Sequence, residues 1–560
     1  MQSWIVRNLR KNNFQIYTGV RFSVWWKGHL YMPGHAAGVE SVNRLAWQLA
    51  HAPLAAICHR LKGVFGLFVW DRRERTWQIA VDNAGLYRVY FDTSGNAASR
   101  FLELAALRGA DATGLDTDSL VEFLLHGCVH TPRTLIADVH RLPARAVLRL
   151  GSGAEPEPPK IEPKLLPEPE DDRSFAAVLD AHADDLACSL AGSPLSVDLT
   201  GGFDSRLLAC LLRSRGIGDE AAMNSEPHSI DAARAKEVAG LLGLPMQVQR
   251  QTIDHLEADM AALLIDSDAL VDVARLHRDW QTARARRARG MKVLAHGGGG
   301  ELLKDFYYHH EFPFYGTRAA SLERLYDLRL VPMPFVETQL TPMARRWVQA
   351  CRTRLVGQLE GFRAATNHET CDRAFYGFRL PESFGGHFST YINMGLNVVA
   401  PFMDKDVATA AMALPPWSRI MEAQHRRLLD ALNPRAAALP TTNGYSASLR
   451  AAQLARDLPI FAANETRRAI NKLAQRHLGR APFPRPGALD NDASGFVDRM
   501  RGLPALRAGL AMLQKRGIYT GAVEPMALRP HEVGRVLTLG LCGEHLAQAR
   551  HSADALARAS

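Results

Sequence analysis

Apolar and polar residues alternate with a period of two in several short segments near the start of the chain. Residues 4–7, 63–70 and 77–81 show this pattern. Such alternation is typical of β-strands, because successive side chains of a strand point to opposite faces of its sheet. The pattern therefore predicts a strand-rich N-terminal part.

Beyond residue 190, apolar segments of strand length alternate with segments of helical periodicity. The predicted strands are residues 195–199, 221–224, 246–250 and 292–295, and the predicted helices are residues 205–215 and 231–243, the second ending at Gly243. Alternation of this kind predicts an α/β fold with a doubly wound parallel sheet. Ligands of such sheets bind outside the carboxyl ends of the strands.

The rest of the chain is predicted to be mostly helical from about residue 320, with loops near Pro401, Pro440 and residues 482–486. Residues 151–172 are rich in proline, glycine and acidic residues, which is typical of a linker. We therefore predict domains at residues 1–150 and 173–450, followed by a helical C-terminal extension at 451–560. A helical surface over 446–560 could dock a peptide substrate.

A glycine turn joins the first predicted strand of the second domain to its helix. It reads Thr200, Gly201, Gly202, Phe203, Asp204, Ser205. Glycines allow the backbone to approach a phosphate closely, and a helix N-terminus favours an anion. Asp204 suits this setting if Mg²⁺ lies between its carboxylate and the phosphates. We predict a site for a nucleotide pyrophosphate with Mg²⁺ here; the alternative is a plain strand-to-helix turn with Ser205 as the helix N-cap.

Further candidates lie at the ends of two other predicted strands. Asn224 ends the strand at 221–224, and a second glycine-rich loop runs from His296 to Glu301. Gly298 and Gly299 are candidate nucleotide-binding residues. Glu301 is a candidate metal ligand beside Asp204, or else an acid that only complements a helix dipole. Lys304 is a candidate catalytic residue that could reach a pyrophosphate oxygen, or else a surface lysine.

Composition and charge argue against several classes of protein, among them membrane proteins and disulfide-rich proteins. The 560 residues are 47% hydrophobic and 22% charged, which is typical of a globular chain. No apolar run approaches the roughly 20 residues that span a bilayer, and no secretion signal is evident, so we expect a cytoplasmic protein without a membrane partner. The seven scattered cysteines indicate no disulfide framework or zinc site. The net charge of +9 is not accompanied by aromatic residues interleaved with basic ones, so no nucleic-acid partner is expected.

The loop at residues 200–205 resembles the Ser-Gly-Gly-x-Asp-Ser loop of the PP-loop ATP pyrophosphatases, with Thr200 in place of the first serine. Residues 61–71, 80–91 and 134–143 resemble, in the same order, the glutaminase domain of asparagine synthetase B. This resemblance implies an N-terminal Ntn-hydrolase-like α+β sandwich followed by a PP-loop synthetase domain. It also implies ATP and Mg²⁺ as cofactors.

The sequence departs from asparagine synthetase B at several positions. That family's nucleophile follows the initiator methionine, where this chain has Gln2, so we expect no ammonia production from glutamine. Gly297 and Asn397 stand where the ring-closing relatives carry a Tyr–Glu dyad, and residues 439–445 lack the family's late lysine. Gly300 stands where the relatives carry their second Mg²⁺ aspartate.

The resemblance implies a ligase that adenylates a carboxylate and transfers it to an amine from a source other than glutamine. The most specific hypothesis is a macrolactam cyclase of the lasso-peptide type, acting on a precursor peptide with a leader-peptidase partner. An intermolecular amidotransferase that uses free ammonia or another amine is the second hypothesis. A degenerate homologue that acts as a scaffold is the third. The sequence leaves the carboxylate, the amine and the oligomeric state open.

Overall fold

The computed structural model describes residues 2–151, 158–165, 173–330, 337–478 and 495–559. Most of the predicted linker and the loop predicted at 482–486 lie outside these residues. None of the helices within the described ranges is long and apolar enough to cross a membrane.

The N-terminal part contains two antiparallel sheets. The larger has the strand order β1-β2-β3-β4-β8-β9 and the smaller the order β6-β5-β7. The strands are β1 Gln15–Thr18, β2 Phe22–Gly28, β3 Phe65–Asp71, β4 Thr76–Val81, β5 Tyr90–Asp92, β6 Ala97–Ala98, β7 Val139–Arg141, β8 Ala146–Gly151 and β9 Lys160–Pro163. The helices are α1 Gln2–Lys11, α2 Val39–Leu49, α3 Leu54–Ile57, α4 Phe101–Leu107 and α5 Thr117–His126. The strands predicted at 63–70 and 77–81 are confirmed as β3 and β4.

The strand predicted at residues 4–7 is wrong, because these residues lie in helix α1. Ile5 and Leu9 are one helical turn apart and both are fully buried. A four-residue segment fits the strand period and the helix period equally well, and packing on the core decides between them.

The sheet also continues past the predicted domain boundary at residue 150. Strand β9 lies inside the predicted linker and pairs antiparallel with β8. Directly after β9, the buried Lys164 Nζ donates to the carbonyl of Val81 at 2.6 Å. Residues 160–164 are therefore part of the first sheet region.

The second part is built on a five-stranded parallel sheet, as the alternation of strands and helices predicted. Its strands are β10 Leu195–Asp198, β11 Glu220–Asn224, β12 Met246–Gln249, β13 Val293–Ala295 and β14 Asn397–Val399. Their order in the sheet is β12-β11-β10-β13-β14, and every pair is parallel. Strand β14 was not predicted, because three residues among helices carry no periodic signal. The order reverses between β10 and β13, which makes the space above these two strands a topological switch point.

Most of the remaining chain is helical. They are α6 Phe175–Ser189, α7 Phe203–Arg213, α8 Ile230–Leu242, α9 Leu256–Ser267, α10 Val273–Ala288, α11 Leu322–Leu325, α12 Pro342–Leu359, α13 Asn367–Ala374, α14 Leu380–Ser383, α15 Gly385–Asn393, α16 Lys405–Met412, α17 Ala423–Leu432, α18 Pro434–Ala438, α19 Ala451–Leu478, α20 Phe496–Arg501, α21 Pro504–Lys515 and α22 Pro530–Ala559. Helix α8 ends at Gly243, whose φ of 68° is left-handed, as the predicted stop requires.

The C-terminal helix α22 connects the two parts of the molecule. Arg535 Nη1 donates to the carbonyls of Leu124 and Leu125, at 2.6 and 2.9 Å. The amide of Val273 donates to Thr538 Oγ1 at 3.1 Å. Helices α19 to α22 lie in the region predicted to be helical. The first part of α22 is packed into the core, whereas the described side chains of α19 are mostly exposed or half-buried. The peptide-docking surface over 446–560 stays a prediction.

Candidate functional site

The candidate site lies at the carboxyl ends of β10 and β13, on the switch point of the parallel sheet. The loop that follows each strand contributes to it: residues 200–202 after β10, and residues 296–300 after β13. A cavity of about 350 Å³ opens between these loops. The following predicted site residues line it: Thr200, Gly202, Asp204, Ser205, Asn224, Gly298 and Glu301.

The first loop is tied together by its own hydroxyl groups. The amide of Thr200 donates to Ser205 Oγ at 3.0 Å, and the hydroxyls of the same two residues lie 2.8 Å apart. Helix α7 begins at Phe203, and its N-cap is Gly202, without a side-chain cap. The alternative in which Ser205 is the N-cap is therefore wrong. The amide groups of the first helical turn, 203–205, have no partner within the helix and are the ones that an anion would meet.

Gly201 does not line the cavity and faces the other way. Its amide donates to Asp231 Oδ1 at 2.8 Å, and the same oxygen accepts from Thr442 Oγ1 at 2.7 Å. A β-carbon at Gly201 would lie 2.4 Å from Thr442 Oγ1. The segment around residue 442 thus fixes the side of the glycine loop that faces away from the cavity. This segment lacks the late lysine of the related synthetases.

Arg206 also fixes the position of the first glycine loop. Its guanidinium group is fully buried and donates to the carbonyls of Leu439 and Pro440, at 2.6 and 2.9 Å. It also reaches the carbonyl of Gly201 at 3.4 Å. One arginine therefore ties the glycine loop to the loop that ends helix α18.

Asp204 lies between two basic side chains. Lys304 Nζ donates to its Oδ2 at 2.7 Å, and His425 Nε2 lies 2.6 Å from its Oδ1. Burial raises the pKa of Asp204, but Lys304 and His425 outweigh burial, so the net pKa lies below the ordinary value. Lys304 is therefore not a surface lysine. Its pKa is raised, since the attraction of Asp204 outweighs the effect of burial.

The second loop packs directly on the start of helix α7. A β-carbon at Gly297 would lie 3.1 Å from the Cα of Ser205, and one at Gly300 would lie 2.5 Å from Asp204 Oδ1. Gly298 lines the cavity. Gly299, with φ +91°, faces Phe402 and Met403 instead, so the structure does not bring this predicted nucleotide-binding residue to the cavity wall.

Glu301 projects into the same space as Asp204. Its Oε2 accepts the amide of Gly299 at 3.0 Å. Burial raises the pKa of Glu301, and the negative charge of Asp204 raises it further. The two carboxylates repel each other electrostatically, and a cation bound between them would relieve this repulsion.

Several residues that line the cavity were not predicted as site residues. Among them are Asp198, Asp279, His296 and Tyr391. Arg286 pairs with Asp198, and Asn224 Nδ2 donates to Asp279 Oδ1. Asn224 therefore lies at the cavity, as predicted, but it also orients a carboxylate. Among the described residues, no group of three or more His, Cys, Asp or Glu side chains has the arrangement of a metal centre.

The comparisons with known proteins bear on the N-terminal part. Residues 49–158 match the family model of the glutamine amidotransferase domain. The match contains strands β3 to β8, so these strands belong to an amidotransferase-type domain. This fits the asparagine synthetase-like architecture and does not distinguish its subfamilies. No curated protein matches the chain significantly.

The matched domain contains two cysteines, and neither is a suitable nucleophile. Cys58 and Cys128 are both buried. Burial raises the pKa of the Cys58 thiol, and burial together with Glu382 raises that of Cys128 to about 11. Since the thiolate is the nucleophile, these thiols are unreactive at neutral pH.

Proposed function

We propose that this chain is an ATP-dependent ligase that adenylates a carboxylate and joins it to an amine. The observation that carries the proposal is the convergence of the two glycine loops and Asn224 on one cavity, at the switch point of a parallel sheet that follows an amidotransferase-type domain. A PP-loop synthetase domain is the proposed identity of this second part.

The reaction has two steps. A carboxylate oxygen of the substrate attacks the α-phosphorus of ATP, the bond to the bridging oxygen breaks, and pyrophosphate leaves. The amine nitrogen then attacks the acyl carbon, the bond to AMP breaks, and the amine gives up a proton. The chain's contribution to the first step is to align the phosphates along the N-terminus of α7 and to balance their charge with Lys304.

Magnesium fits the donor groups of this site. Asp204 Oδ1 is buried and lies 2.6 Å from His425 Nε2 without the geometry of a hydrogen bond, and Glu301 supplies a second carboxylate. Mg²⁺ typically takes one or two protein carboxylates and fills its shell with water and phosphate oxygens. Asp204 and Glu301 would hold the ion, and it would neutralise charge on the phosphates. Gly300 contributes no ligand.

The proposed amine does not come from glutamine. The buried, high-pKa thiols of Cys58 and Cys128 support this, since a glutaminase of this type needs a reactive thiolate. The substrate class we propose is a precursor peptide whose own amine closes a macrolactam. The net charge of +9 is compatible with an acidic peptide.

Exchange of radiolabelled pyrophosphate into ATP tests the proposal. Wild-type protein is assayed with Mg²⁺ and a pool of short peptides that carry aspartate or glutamate, and with free aspartate. We expect exchange that Asp204→Asn reduces by about 100-fold or more, while Asp254→Asn at an exposed position leaves it unchanged. If the wild type neither binds ATP nor catalyses exchange, the ligase proposal fails and the scaffold hypothesis stands. If exchange is observed, product formation with ammonium or single amino acids as acceptors separates an amidotransferase from a peptide cyclase.

A further inference from the structure

A cluster of aromatic side chains outside the candidate cavity has no role in the proposed reaction. Phe312 is 58% exposed and Trp417 is 50% exposed, and their ring centroids lie 6.3 Å apart. The buried ring of Tyr315 contacts both, with centroid distances of 5.8 and 4.9 Å. We call Phe312, Tyr315 and Trp417 the aromatic patch. Large exposed aromatic side chains in contact with one another are typical of surfaces that bind a partner.

Hydrogen bonds of buried residues hold the two chain segments of the aromatic patch together. Tyr308 Oη donates to the carbonyl of Pro416 at 3.2 Å. The guanidinium group of Arg419 is fully buried and donates to Asp372 Oδ2 at 2.7 Å. The same group donates to the carbonyl of Leu302 at 3.0 Å. The segments that carry the rings are therefore fixed before a partner binds, which reduces the entropy lost on binding.

Each of these two segments also carries a residue that contacts Asp204 at the candidate site. Lys304 Nζ donates to Asp204 Oδ2 at 2.7 Å, and Lys304 precedes Phe312 by eight residues. His425 Nε2 lies 2.6 Å from Asp204 Oδ1, and His425 follows Trp417 by eight residues. Eight residues span at most about 28 Å even when the chain is fully extended. A short peptide whose carboxylate lies in the cavity can therefore reach the aromatic patch.

The half-buried Arg329 adds a positive charge near the aromatic patch. Its Nε donates to His310 Nδ1 at 3.4 Å, and its guanidinium group lies 5.2 Å from the centroid of the Phe306 ring. Burial, and then the charge of Arg329, lower the pKa of His310 to about 4, so this partner is neutral at pH 7. Among the described residues, no carboxylate forms an ion pair with Arg329. Since His310 is two residues from Phe312, an acidic ligand on the patch can supply the missing carboxylate.

We propose that the aromatic patch binds the acyl-donor peptide. An aromatic side chain of the peptide packs against Phe312 and Trp417, and an acidic side chain pairs with Arg329. The inference rests on the proposed function, because it assigns the bound peptide as the acyl donor, and it narrows the substrate class to acidic peptides with an aromatic residue. Contacts between aromatic rings and between arginine and a carboxylate both depend on geometry and therefore give specificity. The unpaired charge of Arg329 favours an acidic peptide over the apolar face of a second copy of the chain.

Isothermal titration of the full chain with three peptides, in the absence of ATP, tests the inference. The probes are acetyl-Gly-Phe-Gly-Asp-Gly-amide, the same peptide with alanine in place of phenylalanine, and the same peptide with asparagine in place of aspartate. We expect the wild type to bind the first peptide about 10-fold more tightly than either of the others. Trp417→Ala should reduce the preference for phenylalanine to about threefold or less, and Arg329→Gln should do the same to the preference for aspartate. Trp47→Ala, at a 63% exposed position of helix α2, is the matched control and should change neither preference.

The outcomes separate this inference from the proposed function. Equal affinities of the wild type for the three peptides, or unchanged preferences in Trp417→Ala and Arg329→Gln, would show that the patch does not bind such a peptide. Peptide preference without ATP–pyrophosphate exchange would overturn the proposed function and the acyl-donor role and leave the peptide site. In sedimentation velocity, a wild-type dimer that Trp417→Ala converts to monomers would assign the patch to a second copy of the chain and overturn the inference. Each preference is a ratio of affinities in one preparation, so it does not depend on the folded fraction.

Discussion

The Cα of Gly300 lies directly against the carboxylate of Asp204. A β-carbon at position 300 would be 2.5 Å from Oδ1 and 2.7 Å from the carboxyl carbon of Asp204. Glycine at this position is therefore what allows the second loop to close on the start of helix α7. Asp204 could not keep its observed position if residue 300 carried a side chain.

Gly300→Asp should reduce stability and should not increase activity. The new carboxylate would overlap Asp204 and add like charge to a buried cluster, so we expect a loss of about 1–3 kcal/mol in the free energy of unfolding. Urea unfolding and pyrophosphate exchange measure the two effects. Gly357→Ala in helix α12 is the control, because no atom lies within 4 Å of its β-carbon position, and it should be neutral or slightly stabilising. Higher exchange activity in Gly300→Asp would contradict the steric interpretation.

Lys304→Met should abolish most of the exchange activity. The substitution removes the cation 2.7 Å from Asp204 Oδ2 and leaves a carboxylate that is paired only with His425. We expect the exchange rate to fall by about 100- to 1,000-fold, as when a charged group that stabilises a transition state is lost. Lys304→Arg keeps the charge and should retain part of the rate. Equal activity of Lys304→Met and wild type would show that Lys304 only neutralises Asp204.

Arg206→Lys should destabilise the protein and weaken nucleotide binding together. A lysine cannot reproduce the planar set of donors that bind the carbonyls of Leu439 and Pro440. We expect a loss of about 2–4 kcal/mol in the free energy of unfolding, because buried carbonyls lose their donors. Urea denaturation with and without ATP measures both effects. The control is Arg507→Lys on an exposed position of α21, which should change neither.

Glu122 should make the protein sensitive to acid. Burial raises its pKa, but hydrogen bonds from His130 and the charges of His130 and Arg354 outweigh burial and lower it from 4.5 to about 2. A carboxyl group whose pKa is lower in the folded state stabilises the fold above its unfolded pKa, and this contribution is lost as the pH falls from about 4.5 to about 2. Its size is about 3 kcal/mol, from the shift between these two values.

Unfolding by urea at pH 7 and near pH 2.5 checks this prediction. Glu122→Gln should be less stable than the wild type at pH 7, and the difference should shrink at the lower pH. Glu360→Gln is the control, because its partner Arg363 is exposed and the pair contributes little. A constant difference between Glu122→Gln and wild type at both pH values would contradict the assignment.

Local signals in the sequence predicted the strand and the helix on either side of the first glycine turn correctly. Strand β10, the glycine turn and helix α7 follow each other within a short segment, and each is encoded by neighbouring residues. The same holds for β13 and its glycine loop. The strand predicted at residues 4–7 was wrong, and β14 was missed, because a few residues do not carry enough periodicity to choose between helix and strand.

The sequence by itself determined the order of strands and helices and the places of the two glycine loops along the chain, since these depend on local periodicity and on backbone freedom at glycine. Only the tertiary structure decided which side chains complete the site. His425 comes from helix α17, which packs on α7, while Asp279 comes from α10, which packs on β11, and Tyr391 from α15, which packs on β14. Contacts between distant segments depend on the packing of the whole core, and no local pattern around these residues distinguishes them from ordinary helical positions.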